Sequence, residues 1–262
     1  PGTMMNESPK EAKESNYLTS VVTSKIGFGL AYSDLSTGEI YTTHLKNFAA
    51  ISNELLSLRT REVVYNGHLS DKNKDFMKKA NITVSKPVAL EGEHAEVSYV
   101  EQNLKNHLEK AAATQLVGYL LTTQKRSLAH LQIAKSYEVN QYLQMSHVVQ
   151  NNLELTASAK TGKKMGSLFW VLDKTHTAMG GRLLKQWLAR PLLSIDKINY
   201  RQEMVQALLD SYFTRENVID ALKGVYDLER LTGRIAFGNV NARELLQLSR
   251  SLNAVPVILD AL

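Results

Sequence analysis

Residues 17 to 45 read YLTSVVTSKIGFGLAYSDLSTGEIYTTHL, and the side-chain period inside this stretch decides the fold. Tyr17 to Thr23 are rich in β-branched residues, which suit a pleated, half-buried surface. After a short break, Ile26, Phe28, Leu30 and Tyr32 alternate with Gly27, Gly29, Ala31 and Ser33, a period of two that marks a strand with one buried face. Asp34 to Gly38 supply the Asp, Ser, Thr and Gly that make turns, and Glu39 to Leu45 return as a third strand. The stretch reads as a three-stranded meander.

Beyond it the period lengthens. Phe48, Ile51, Leu55 and Leu58 recur at helical spacing, followed by a short strand at Glu62 to Tyr65. A second helix, capped by Ser70 or Asp71 and carrying Phe76 and Met77, leads to a strand at Ile82 to Val84. After Pro87 a loop opens into one long helix expected from about Ser98 to Thr123, with Val100, Leu104, Leu108, Ala111 and Ala112 on one face. The order βββαβαβα over residues 14–125 resembles the ribonuclease H fold, a mixed sheet with helices on its faces. A nuclease of that fold needs clustered carboxylates to hold two Mg²⁺ ions. Residues 17–23 contain no Asp or Glu, Asp34 lies in a turn, and Glu54 and Glu62 have no obvious third partner. The expected role is a spacer or docking module, with a divergent ribonuclease H-like nuclease as the alternative.

From Leu128 onward the pattern is all-α, so that residues 126–262 form a helical domain following an α/β one. Gly166-Ser167 start a helix with Leu168, Val171 and Leu172; Thr175 or Thr177 caps the next, which is expected to bury Met179, Leu183, Leu184, Trp187 and Leu188 before Pro191 stops it. Trp187 shares a face with Leu183, Leu184 and Leu188 and is expected to be a core anchor. Ser194 caps a helix with Ile195, Ile198, Val205 and Leu208, Asp227 can cap Leu228 to Ala236, and Asn241 with Glu244 has capping-box spacing.

A length of 262 residues is enough for about two domains. Hydrophobic residues at 44% and charged residues at 22% are ordinary globular values, which disfavours collagen-like and disordered chains. Without cysteine there is no disulfide, thiolate nucleophile or Cys-ligated zinc, a usage that fits a reducing cytoplasm. Apolar runs such as Leu116 to Leu121 fall far short of the ~20 residues that span a bilayer, so no membrane partner is expected. The chain opens Pro1-Gly2-Thr3 and closes within a helical pattern, as an excised fragment would. Its net charge of +5 is concentrated: between Met145 and Arg190, Lys160, Lys163, Lys164, Lys174, Arg182, Lys185 and Arg190 face only Glu154 and Asp173. Such a cluster reads first as a solvated helical face and second as a nucleic-acid footprint.

Several motifs fail on inspection. Gly162-Lys163-Lys164 lacks the glycine at 157 and the Ser or Thr at 164 that a P-loop requires. Ser194-Ile195-Asp196-Lys197 and Lys160-Thr161-Gly162 match two marks of serine β-lactamases in the wrong order. The seven histidines show no metal-ligand spacing. No catalytic, cofactor or metal residue is expected.

One stretch is specific. Val148 to Leu155 (VVQNNLEL), Gly166 to Leu192 (GSLFWVLDKTHTAMGGRLLKQWLARPL) and the later Asp227 to Leu231 with Arg234 to Ala236 closely resemble the core domain of the bacterial MutS mismatch-repair family. Residues 14 to about 125 resemble its connector domain, and 1–13 the linker from its N-terminal mismatch-binding domain. The resemblance implies an intact parent that is a homodimeric, ATP- and Mg-dependent sensor of mismatched double-stranded DNA, cytoplasmic and nucleoid-associated, which recruits MutL. The family's Phe-x-Glu wedge and Walker motif are absent here, so this piece is expected to couple sensor to ATPase and to dock MutL rather than to catalyse. Asp173, Thr175, Thr177, Gly180, Arg182, Trp187 and Pro191 form its structural signature. Asp173 and Thr175 or Thr177 are expected to satisfy helix-terminal amides, Gly180-Gly181 to allow close helix approach, and Arg182 to pair with Asp173 or Glu154. Gln102, Asn103, Lys105 and Asn106, pointing away from the buried face of the long helix, are the expected MutL-docking residues.

Overall fold

The computed structural model describes residues 17–90, 92–124 and 128–262; the linker expected over 1–13 lies outside them. The described residues divide into two compact units, one comprising those from Tyr17 to Glu138 together with Thr232–Gly238, the other Val139–Leu231 with Asn239–Leu262.

In the first unit the meander forms as β1 (Tyr17–Ser24), β2 (Gly27–Asp34) and β3 (Ile40–Leu45), antiparallel in sequence with Val21 opposite Leu30 and Tyr32 opposite Tyr41. Helix α1 (Phe48–Ser57) leads to β4 (Glu62–Tyr65), which pairs parallel to β1; α2 (Asp71–Lys79) leads to β5 (Thr83–Ser85), parallel to β4. Ser70, not Asp71, caps α2, accepting from the Asn73 amide. A strand the sequence pattern did not mark, β6 (Lys135–Ser136), pairs parallel to β3 and completes a six-stranded mixed sheet of order β5-β4-β1-β2-β3-β6.

The expected single helix over 98–123 is two helices, α3 (Ala95–Glu101) and α4 (His107–Gln124). The physical cause sits in the gap. The Asn106 side-chain oxygen accepts from the Leu108 amide at 2.8 Å and the Glu109 amide at 3.4 Å, a local bond that competes with helix continuation. Leu104 is buried between the two helices. Helix α4 then buries Ala112, Ala113, Leu116, Val117 and Leu120 against the sheet, while Ala111, expected on that face, is exposed. Its approach is close: a Cβ on Gly29 of β2 would stand 2.0 Å from the Leu108 carbonyl oxygen.

The second unit is helical: α5 (His147–Asn152), α6 (Leu168–Leu172), α7 (Ala178–Ala189), α8 (Ile195–Asp210), α9 (Tyr212–Lys223), α10 (Leu228–Ala236), whose last turn belongs to the first unit, and α11 (Ala242–Ala261). Ser146, Ser167, Thr177, Ser194 and Asn241 cap α5, α6, α7, α8 and α11, and Asn241 with Glu244 forms the full capping box. Such caps matter most for α5 and α6, which at six and five residues are far below the length at which an isolated helix is stable.

Gly29→Ala should force α4 off β2 and cost at least about 2 kcal/mol, the scale of an overpacked core. Urea unfolding followed by circular dichroism reads it; an unchanged midpoint would mean that α4 is free to shift.

Candidate functional site

The carboxylates of the first unit are dispersed. Asp34 accepts from the Ser36 amide at 2.9 Å and hydroxyl at 2.6 Å, and Glu54 accepts from the Tyr137 hydroxyl at 2.8 Å. Glu62 accepts from Ser85 at 2.6 Å and Tyr119 at 2.5 Å, and Glu109 from Thr42 at 3.0 Å while meeting His44 Nδ1 at 3.1 Å. Burial, reinforced by Glu62, pushes the Tyr119 hydroxyl above its ordinary pKa, keeping it a donor. Each carboxylate serves packing at a separate place, and among the described residues no three His, Asp or Glu side chains gather to hold a metal ion. This arrangement does not favour the nuclease alternative.

Gln102, Asn103 and Lys105 are exposed, but in the break between α3 and α4 and not on a helix face. Asn106 is half-buried and committed to capping α4. The four residues thus share one short loop whose shape Asn106 and the buried Leu104 fix.

In the second unit the signature residues converge on the start of α7. Asp173 accepts from the Thr175 amide at 3.2 Å and hydroxyl at 2.5 Å and pairs with Lys164 through its other oxygen. Thr177 caps α7 by accepting from the Gly180 amide at 3.0 Å. A Cβ on Gly180 would lie 3.1 Å from the Thr177 hydroxyl and 3.5 Å from Thr175 Cβ, so the glycine makes room for the cap. Gly181 is buried.

Arg182 is held by two acceptors that the sequence reading did not name. Its guanidinium makes a two-pronged contact with Asp227, at 2.6 and 2.8 Å, and a third bond to Glu229 at 2.5 Å. The side chain is 9% exposed. Burial alone would lower its pKa; the two carboxylates more than reverse this and hold it above its ordinary value. Asp227 also accepts from the Arg230 amide at 3.3 Å, as expected for the residue that starts α10. One carboxylate therefore caps α10 and ties it to α7. The partners escaped the sequence reading because Asp227 is 45 residues away; its signal was the acidic pair at 227 and 229 opening a helix opposite a basic one.

Trp187 is not a buried anchor. It is 39% exposed, as is Leu183 at 47%, and its ring is covered by the Arg201 guanidinium 3.7 Å from the centroid. The helix phase places the residue on the apolar face of α7, but in the described residues that face is only partly covered. Pro191 follows α7, and its carbonyl accepts from the Leu143 amide at 2.8 Å beside the Tyr142–Leu192 bridge.

Between α5 and α6 runs a closed loop. Its base is held by Leu168 and Phe169 amides donating to the Glu154 and Leu155 carbonyls, each at 2.9 Å, and by the Lys164–Asp173 pair. Inside it Glu154, at φ 47°, accepts from the Ser158 hydroxyl at 3.0 Å and the Ala159 amide at 2.6 Å. The Ser158 amide donates to the Lys163 carbonyl, and the Gly162 amide to the Ser158 carbonyl, both at 2.8 Å.

Comparison with known proteins places this architecture. A family model described as MutS domain II matches residues 16–132, and one described as MutS domain III matches residues 150–262. The chain belongs to the MutS family of DNA mismatch repair proteins and carries its domains II and III. Over its whole length it is 86% identical to the DNA mismatch repair protein MutS of Lactobacillus helveticus, 82% to that of Lactobacillus acidophilus and 74% to that of Lactobacillus johnsonii. It spans about three-tenths of the length of these relatives, 30% in the first and 31% in the others. No described helix is long and apolar enough to cross a membrane.

Arg182→Met should destabilise the second unit by about 3 kcal/mol, since it strands the carboxylates of Asp227 and, in part, the more exposed Glu229. Trp187→Ala should cost only about 1–2 kcal/mol, because part of the ring is already in water. Equal losses in urea unfolding would contradict this ranking.

Proposed function

We propose that the chain is the coupling part of a homodimeric, ATP- and Mg-dependent mismatch-recognition protein: a connector of ribonuclease H-like fold over residues 14–125 and the beginning of a helical core over 126–262. In this reading it links a mismatch-sensing domain to an ATPase, both outside the chain, and works in the cytoplasm on double-stranded DNA.

The observation that carries the coupling role is the buried two-pronged contact of Arg182 with Asp227, backed by Glu229. A planar guanidinium held by two carboxylates resists rotation as well as separation, so a displacement of α7 is passed to α10 with little loss. The connector's exposed Gln102, Asn103 and Lys105 offer amide donors, acceptors and one cation, a small polar surface of the kind used in transient contacts, and MutL is the partner assigned to it.

The test replaces the matching region of Lactobacillus helveticus MutS with this chain and compares two variants with the unsubstituted chimera. Arg182→Lys keeps the charge and loses the fork; it should leave mismatch binding nearly unchanged while weakening the mismatch-dependent change in ATP hydrolysis about fivefold or more, the lower range of allosteric coupling. Gln102→Ala with Asn103→Ala should leave binding and hydrolysis intact and reduce MutL recruitment. Full coupling in the first variant removes the role of the clamp, and undiminished recruitment in the second moves the docking surface elsewhere.

A further inference from the structure

Of the lysines in the basic stretch, Lys185 lies on α7, whereas Lys160, Lys163, Lys164 and Lys174 lie outside the helices. Lys160 and Lys163 project from the closed loop between α5 and α6, where residues 159 to 166 are exposed. Residues 155 to 172 hold three lysines and no acid. Of the three, Lys164 is engaged, its ammonium on Asp173 and 4.5 Å from the Phe169 ring centroid. Among the described residues the side-chain ammonium groups of Lys160 and Lys163 have no ion-pair or hydrogen-bond partner, so two basic side chains stand uncompensated within four residues.

The loop that carries them is preformed. Backbone bonds close its base, the Ser158–Lys163 and Ser158–Gly162 bonds close its tip, and Glu154 spends its carboxylate on the Ser158 hydroxyl and Ala159 amide, not on a lysine. Gly162 turns the chain at φ +66°, with nothing within 4 Å of where a side chain would begin. An anion meeting this tip encounters charges already held out from the protein, so little backbone order is lost on binding.

The chemistry narrows the partner. Residues 156–166 contain no aromatic side chain on which an unpaired base could stack, which argues against single-stranded nucleic acid. Flexible ammonium groups, with no planar fork and no base-reading amide side chain, suit charge neutralisation along a sugar-phosphate backbone and not recognition of a sequence. We propose that the loop between α5 and α6 is a sequence-independent contact for the phosphodiester backbone of duplex DNA, made by Lys160 and Lys163. The inference rests on the chain's place in a DNA repair protein and adds a DNA contact to its second unit.

The experiment measures binding of a fluorescent, fully paired duplex to the 262-residue chain by anisotropy across a series of salt concentrations. Lys160→Gln with Lys163→Gln should weaken binding about fivefold or more at low salt and reduce the slope of log K against log salt by about 1.8, two phosphates at 0.9 each. Lys160→Arg with Lys163→Arg should retain both. Lys72→Gln with Lys78→Gln, an equal charge change on exposed residues of α2, should alter both much less, and thermal melting confirms that all variants fold. Unchanged affinity and slope in the first variant, or an equal loss in the α2 variant, overturns the proposal. A chain that binds poly-glutamate more tightly than duplex overturns it in favour of an acidic protein partner. Neither failure touches the coupling reading, which is judged by ATP hydrolysis in the chimera.

Discussion

Helix α4 can reach the sheet only because residue 29 has no side chain: the Leu108 carbonyl occupies the space that a Cβ there would need. At that distance polar groups on the helix are forced into the sheet and must be satisfied by it. Gln115 donates to the Ser20 hydroxyl and the Val64 carbonyl, each at 3.0 Å, and to the Val21 carbonyl at 3.3 Å. Glu109 binds Thr42 on β3, and Tyr119 binds Glu62 on β4. These bonds reach β1, β3 and β4, so a slip of α4 by one turn would break all of them together. The same bonds explain why the first unit's acidic residues do not resemble a nuclease centre. Glu62 and Glu109 are spent holding the helix in register, and Asp34 and Glu54 are spent on Ser36 and Tyr137.

The second unit has no sheet to impose order and relies on side chains that close short loops. Helices α5 and α6 are too short to persist alone, and the bonds between residues 154–155 and 168–169 hold them together. Asp173 satisfies a local amide with one oxygen and Lys164 with the other, and Asp227 gives both oxygens to the Arg182 fork while one of them also accepts from the Arg230 amide. Such double use concentrates charge at the helix junctions and leaves Lys160 and Lys163 without a carboxylate partner. Substantial apolar surface, including Ile195, Val205, Leu209 and Phe213, stays exposed in the described residues. Stability here rests less on a closed apolar interior than it does in the first unit.

What the sequence reveals follows from how local each cause is. Strands β1 to β3 and the caps Ser167, Thr177, Ser194 and Asn241 depend on residues within a few positions of one another, and their patterns are readable. The break at Gln102 to Asn106 is also local, but the apolar spacing of Val100, Leu104 and Leu108 runs through it and masks the cap. Strand β6 is two residues long, too short for any period to declare itself. The acceptors of Arg182 could not be chosen by spacing, because Asp173, Glu154 and Asp227 carry equal charge and only the fold decides which lies in reach. Trp187 shows the reverse limit: its helical phase is legible, whereas its cover, Arg201, comes from the next helix.

The chain leaves the first unit through its own edge. The Gln132 amide bonds the Gly38 carbonyl at 2.8 Å, Ala134 bonds Val100 at 2.8 Å, Tyr137 bonds Thr42 at 2.9 Å, and β6 lies between as the outermost strand. Tension on the backbone beyond Glu138 would therefore be borne first by this row of bonds, before reaching the antiparallel strands at the centre. A two-residue strand is a weak seam beside the eight-residue pair of β1 and β2. Fraying of β6 would therefore release only the two residues it pairs with β3 and leave the ladders of β1 to β5 intact.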